Sequence, residues 1–189
     1  MPVENRERVL RAATDSFLAH GYASSVDEIA RRAGVAKQTV YHHFASKDRL
    51  FSEVARELAM SVLVELEGGD VRAALMRFAV AYRERALGPQ GIATFRTLVP
   101  AVPRFRSLAK AMYANTAGEL VLRLAQYLGS AMRDGRLRRD DPQFAAEMLL
   151  SMLAGVDRVK RLFGVGNGGE NDARRAARIV DSFLRAYAP

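Results

Sequence analysis

This sequence predicts an all-α fold, and three observations predict it. Apolar residues recur three and four apart along nearly every segment, the period of a helix face. The breaks between segments carry helix punctuation, with Ser25, Ser46, Asp70 and Asp141-Pro142 at starts and Gly21, Gly34, Gly68-Gly69 and Gly135 at stops. No run alternates apolar and polar residues with the period of two that a half-buried strand requires.

Glu4 to His20 reads as the first helix, with Leu10, Ala13 and Phe17 on one face and Arg6, Glu7, Arg11 and Asp15 toward water. Arg6 and Arg8 read as a solvated face, with reach toward phosphates as a second use. Gly21 stops the helix, and Tyr22 and Ala23 pack back. Ser25 and Glu28 form a capping box that opens a second helix. Ile29, Ala30 and Ala33 make its apolar stripe, while Asp27, Glu28, Arg31 and Arg32 stay wet. Gly34 ends it in a left-handed residue and Val35 plugs the turn.

A short third helix follows from about Lys37. Val40 and Phe44 share its buried face, with Ala36 one turn earlier. Its other side carries Lys37, Gln38, Tyr41 and His42, with Thr39 at the margin. A cation, an amide fork, a phenol, an imidazole and a hydroxyl suit phosphates and base edges better than they suit a reaction. Residue classes alone do not separate this reading from a plain amphipathic hairpin.

Ser46 caps a fourth helix, with Asp48 in its first turn where the macrodipole favours a carboxylate. Leu50, Phe51, Val54, Leu58, Val62 and Leu66 carry it to about Glu67, a rod of about 30 Å. Gly68-Gly69 breaks it. The boundary expected from this organisation lies at residue 50, with a small head over 1–50 and a larger helical body over 51–189.

In the body, Asp70 to Leu87 buries Leu75, Phe78, Ala79 and Tyr82. Gly88-Pro89-Gln90-Gly91 is expected as a turn, and Ile92 to Val99 as a short helix closed before Pro100 and Pro103. Phe105 to Tyr113 and Thr116 to Arg133 follow as one broken helix or two consecutive ones, then a stop at Gly135. Asp141-Pro142 opens a helix to about Phe163 that carries Phe144, Met148, Leu149, Met152, Leu153, Val156 and Val159. Gly164 to Gly169 is a loop. Ala173 to Tyr187 is the last helix, with Ile179, Val180, Phe183 and Leu184.

Composition narrows the function. Of 189 residues 49% are apolar, enough for a core. The absence of cysteine rules out disulfides and thiolate chemistry and fits a reducing cytoplasm. No signal-like N-terminus appears, and Glu65, Arg77 and Asp157 interrupt every candidate membrane span, so the expectation is a soluble, cytoplasmic protein without a membrane partner. The net charge of +8 does not sit on the helix–turn–helix. Residues 1–50 hold eight basic against six acidic residues, whereas 104–139 hold eight basic residues against Glu119 and Asp134 alone. The case for nucleic acid therefore rests on the motif and not on bulk charge.

Catalysis has no footing in the pattern. The histidines are His20, His42 and His43, and adjacent His42 and His43 point about 100° apart on a helix, unlike a chelating i, i+4 pair. Gly164 to Gly169 lacks the preceding strand and the spacing of a phosphate loop. No nucleophile–base arrangement is legible. The reading is no enzyme, no metal and no cofactor.

The exact strings go further than residue classes. Ile29-Ala30-Arg31-Arg32-Ala33-Gly34-Val35, then Thr39-Val40-Tyr41-His42-His43-Phe44 and Ser46-Lys47-Asp48-Arg49-Leu50, closely resemble the DNA-binding domain of TetR-family transcriptional regulators over about Arg6 to Phe51. The resemblance implies that Lys37 to Phe44 is the recognition helix, that Gln38 and Thr39 meet base edges, and that Tyr41, His42 and Lys47 hold phosphates. Where the family often has serine, this chain has Ala36, so a cap and a phosphate contact are missing. Phe95-Arg96-Thr97-Leu98-Val99, Pro103-Arg104-Phe105, Leu108-Ala109-Lys110 and Asp140-Asp141-Pro142 more loosely resemble the AefR-like branch, although Arg106 stands where relatives tend to have proline.

That second resemblance implies a helical ligand-binding and dimerisation domain. Phe78, Tyr82, Phe95, Leu98, Phe105, Met112, Tyr113, Leu124 and Met152 are the candidates to line its pocket, although pockets and cores draw on the same residue types. Met148, Met152, Val156, Val159, Ile179, Val180 and Phe183 are the candidates for a homodimer interface. The expected function is a ligand-responsive regulator, a repressor, that binds a palindromic double-stranded DNA operator as a dimer and is released by a small-molecule effector. The competing readings are a helical-bundle enzyme or carrier, disfavoured by absent catalytic groups, and a non-specific architectural DNA binder, disfavoured by the near-neutral head and large apolar body.

Overall fold

The computed structural model describes residues 2–66, 70–103, 106–165 and 171–189, and among them there is no strand. Ten α-helices run among these residues. They are α1 (Pro2–His20), α2 (Val26–Ala33), α3 (Lys37–Phe44), α4 (Lys47–Met60), α5 (Val71–Leu87), α6 (Pro89–Ala101), α7 (Arg106–Tyr113), α8 (Glu119–Arg133), α9 (Pro142–Leu162) and α10 (Asp172–Ala186). Local chemistry places most of the starts. The Asp70 carboxylate accepts from the Ala73 N–H at 3.0 Å, and Asp141 accepts from Gln143 at 2.9 Å with Pro142 next in the chain. Asn171, which was not singled out above, caps α10 by accepting from the Arg174 N–H at 2.7 Å.

Three expectations about element ends are corrected. The fourth helix is α-helical only to Met60, about 21 Å, and continues as a 3-10 stretch over Ser61–Leu66. Ser61, Val62 and Val64 are weak α-formers, and the tighter winding still buries Val62 and Leu66. Glu67, Gly68 and Gly69 lie outside the described residues. The turn expected over Gly88 to Gly91 shrinks to Gly88, because Pro89 opens α6 where its missing N–H costs nothing. That helix also runs past Val99 to Ala101.

The chain divides into two compact units, Met1–Leu58 with Ala93–Asn115, and Ala59–Ile92 with Thr116–Pro189. The boundary expected at residue 50 falls inside α4, whose Phe51 and Val54 belong to the core of the first unit. That core gathers Val9, Leu10, Ala13 and Phe17 of α1, Ile29, Ala30 and Ala33 of α2, Val40 and Phe44 of α3, and Met112 of α7. Phe17 and Tyr22 both meet the Phe51 ring edge-to-face, at 4.8 and 5.2 Å between centroids.

In the second unit α8 packs on α9, and α5 packs on both α9 and α10. Leu75, Phe78, Leu124, Leu128, Leu149, Leu153, Val180 and Phe183 fill the space between them. Within this core Arg83 has no solvent exposure. It lies 2.9 Å from Asp157 and 2.5 Å from Asp172, and donates to the Leu153 carbonyl at 2.5 Å. Arg161 joins Asp172 at 2.7 Å and Arg175 joins Asp157 at 3.2 Å. The network ties α5, α9 and α10 into one register, and no helical wheel announces it.

Candidate nucleic-acid interface

The head is built from short-range rules. Ser25 Oγ accepts from the Glu28 N–H at 3.0 Å and starts α2, while the Glu28 carboxylate pairs with Arg32 at 2.8 Å. Gly34 takes φ 64°, ψ 39° and turns the chain toward α3. A Cβ there would stand 2.5 Å from Arg8 Nη2, whose guanidinium donates to the Gly34 carbonyl at 3.1 Å. The turn is thereby fastened to α1. Arg6 is structural too, 2.8 Å from Glu53 of α4 with its guanidinium 5.2 Å from the Phe44 ring centre. Both roles need the fold, so sequence reasoning reached them only as a solvated face.

Ala36 is not on the buried side of α3 as expected. It is exposed and is the residue before the helix, with its carbonyl accepting from the Thr39 N–H at 2.9 Å and no side chain to cap. Val40 and Phe44 alone anchor α3 inward. Ala45 closes the helix at φ 57°, and Ser46 Oγ accepts from the Arg49 N–H at 3.1 Å to start α4.

With that anchoring, Lys37, Gln38, Tyr41 and His42 stand exposed on one face, Tyr41 at 41%. Thr39 is half-buried at its margin. Eight residues make a helix of about 12 Å, close to the width of the major groove. Two of the six candidates are already engaged. Lys37 Nζ pairs with Asp27 at 2.9 Å, a hydrogen bond that raises its pKa. Lys47 Nζ lies 4.3 Å over the Tyr22 ring, and the Tyr22 hydroxyl donates to Asp48. Burial first, and then the Asp48 carboxylate, push the Tyr22 phenol up to about 12. The face offers donors and cations.

The nine residues expected around a pocket are divided between the two units. Phe78 and Leu124 are packed core of the second unit, with Tyr82 stacked on Phe78 at 5.9 Å, and Met112 is core of the first. Phe95, Tyr113 and Met152 are exposed. The Leu98 side chain and Phe105 lie outside the described residues. Of the expected interface residues, Val180 and Phe183 have no exposure within this chain, so no partner chain can reach them. Met148 and Ile179 are half-buried. Met152, Val156 and Val159 lie on an exposed α9 stripe that Phe144 and Phe163 extend, with Val156 at 67%. Among the described residues no helix is long and apolar enough to cross a membrane.

Residues 9–54 match the family described as bacterial regulatory proteins, tetR family. Residues 73–189, more than half of the chain, match the AefR-like transcriptional repressor C-terminal domain. The chain is 31% identical over 149 residues to an HTH-type transcriptional regulator of Mycobacterium bovis, covering 76% of this chain and 75% of that one. It is 48% identical over 52 residues to the transcriptional activator FasR of Mycolicibacterium smegmatis, covering 27% of this chain. It spans only 24–30% of the length of FasR and of two further curated relatives. A crystal structure of a TetR-family regulator from Mesorhizobium loti superposes with a TM-score of 0.78 at 26% identity, covering 99% of this chain and 98% of that one. The flavonoid-responsive regulator FrrA gives 0.69 at 31% identity, with 98% and 97% covered. This chain belongs to the TetR family of bacterial helix–turn–helix transcriptional regulators.

Proposed function

We propose that the chain is a homodimeric repressor that holds a palindromic operator in the cytoplasm and lets go when a small molecule binds its second unit. The observation that carries the DNA reading is the division of α3, with Val40 and Phe44 inward and Gln38, Tyr41 and His42 outward. The exposed α9 stripe supports dimer formation, which sets two recognition helices one DNA turn apart. The AefR-like match over 73–189 favours repression, since the likeness to the activator FasR covers only 27% of the chain. Response to a ligand is in keeping with FrrA, whose name states it for that protein. Release requires that the effector bind the DNA-incompetent state more tightly.

The test is a gel shift on the DNA upstream of the chain's own reading frame, with specific and random competitor. Gln38→Ala should lose about 1–3 kcal/mol on the operator and relax the preference at one base pair. Lys47→Ala should weaken every sequence alike and lower the salt slope by about one. Equal loss of operator and random DNA by both variants would leave only a non-specific binder.

A further inference from the structure

Away from the exposed face of α3, a second charged surface carries more cations than the fold uses. Arg8, Arg11 and Asp15 of α1, with Arg31, Arg32 and Gly34 at the end of α2, line an open cleft of about 660 Å³. Four guanidinium groups thus share one lining carboxylate. Arg8 is spent on the Gly34 carbonyl and Arg32 on Glu28. Arg11 and Arg31 are exposed, and among the described residues no hydrogen bond or ion pair engages either side chain. Like charges brought this close repel, so the cleft carries positive potential that the packing does not need. Its chemistry is that of a phosphodiester receptor, because a guanidinium fork matches two phosphate oxygens.

Connectivity selects the phosphate. Gly34 on the cleft rim precedes Lys37, the first residue of α3, by three positions, a span of at most about 11 Å. A duplex with α3 in its major groove, about 12 Å wide, carries a backbone strand along each edge of that groove. We propose that Arg11 and Arg31 hold the sugar–phosphate backbone of the same duplex beside the groove that α3 occupies, as a clamp blind to sequence. The inference rests on the DNA reading and adds two contacts to it.

The experiment measures binding of a 30-base-pair random-sequence duplex by fluorescence anisotropy between 50 and 200 mM salt. The proteins are wild type, R11Q/R31Q, R11K/R31K and the control R133Q/R139Q, which removes the same charge from two exposed arginines of the second unit. Thermal unfolding first establishes that each is folded. Two lost phosphate contacts should flatten the slope of log K against log salt by about 1.8 in R11Q/R31Q. The lysine pair and the control should keep the wild-type slope. A wild-type slope in R11Q/R31Q overturns the clamp, and so does an equal flattening in the control, which would reduce the effect to net charge. Saturable binding of inorganic pyrophosphate at constant ionic strength, lost in R11Q/R31Q while the DNA slope stays unchanged, assigns the cleft to a small anion and also overturns it. Wild-type protein that binds no duplex at all removes the DNA reading itself, an outcome distinct from the others.

Discussion

Lys37 Nζ, on the first residue of α3, sits 2.9 Å from Asp27 Oδ2, on the first turn of α2. The pair is exposed, so it adds little to stability and much to the local potential. Where a phosphate would want a bare cation, this chain presents one already neutralised.

Asp27→Asn should therefore free Lys37 for the backbone. Affinity for operator and random DNA should rise together, and the salt slope should steepen by about one. Stability should hold within about 0.5 kcal/mol. Titrations across salt, with a thermal melt beside them, check this. An unchanged slope would mean that Lys37 does not reach a phosphate even when released.

How far the sequence could be read follows from which forces act locally. Ser25, Gly34, Ser46, Asp70 and Asp141 were legible because a cap or a left-handed turn is decided within four residues. The exposed set on α3 was legible because Val40 and Phe44 fix its rotation. Ala36 was misplaced because helical periodicity was carried one residue past the start of α3. Phe183 and Val156 were pooled because an apolar residue at helical spacing says that it seeks cover without saying whose. The Arg83 network lay beyond reach, since residues 83, 157 and 172 meet only once α5, α9 and α10 have packed.

Those two apolar residues now separate by experiment. Val156→Glu places a charge on the exposed α9 stripe and should leave a folded chain that sediments as a monomer and loses operator affinity. Phe183→Glu buries a carboxylate among Phe183's neighbours in the second core and should cost several kcal/mol, showing as lost cooperative unfolding. Ultracentrifugation and circular dichroism on both variants decide it. A V156E dimer as tight as wild type would remove α9 from the interface.

Removing Asp157 leaves the buried Arg83 with Asp172 as its remaining carboxylate partner. Asp157→Ala should therefore destabilise the second unit by about 3–5 kcal/mol, read from denaturant unfolding. Asp172 adds an acid limb. Burial raises its pKa, but hydrogen bonds from Arg161 and Arg83 outweigh that and hold it below the usual carboxylate range. Its contribution is present above the unfolded value of about 3.9 and is lost as pH falls through the lower folded value. Asp172→Asn should show a shallower acid loss than wild type.

Tyr22 adds to the alkaline limb: its hydroxyl donates to Asp48 and its ring supports Lys47 and Phe51. Its phenol is raised to about 12 in the folded protein, against about 10 when unfolded. Between these values the unfolded chain sheds a proton that the native chain keeps, so the native state binds more protons and stability falls with rising pH. The contribution is complete below about pH 10 and declines through about pH 12. Tyr22→Phe keeps the ring under Lys47 and removes the titrating group. Melting temperatures taken from pH 8 to 11.5 should fall more steeply in wild type than in the variant, with the two curves diverging above pH 10. Since lysine titration is common to both proteins, the difference between the curves isolates the phenol. Parallel curves through that range would show that Tyr22 ionises in the head as it does in water.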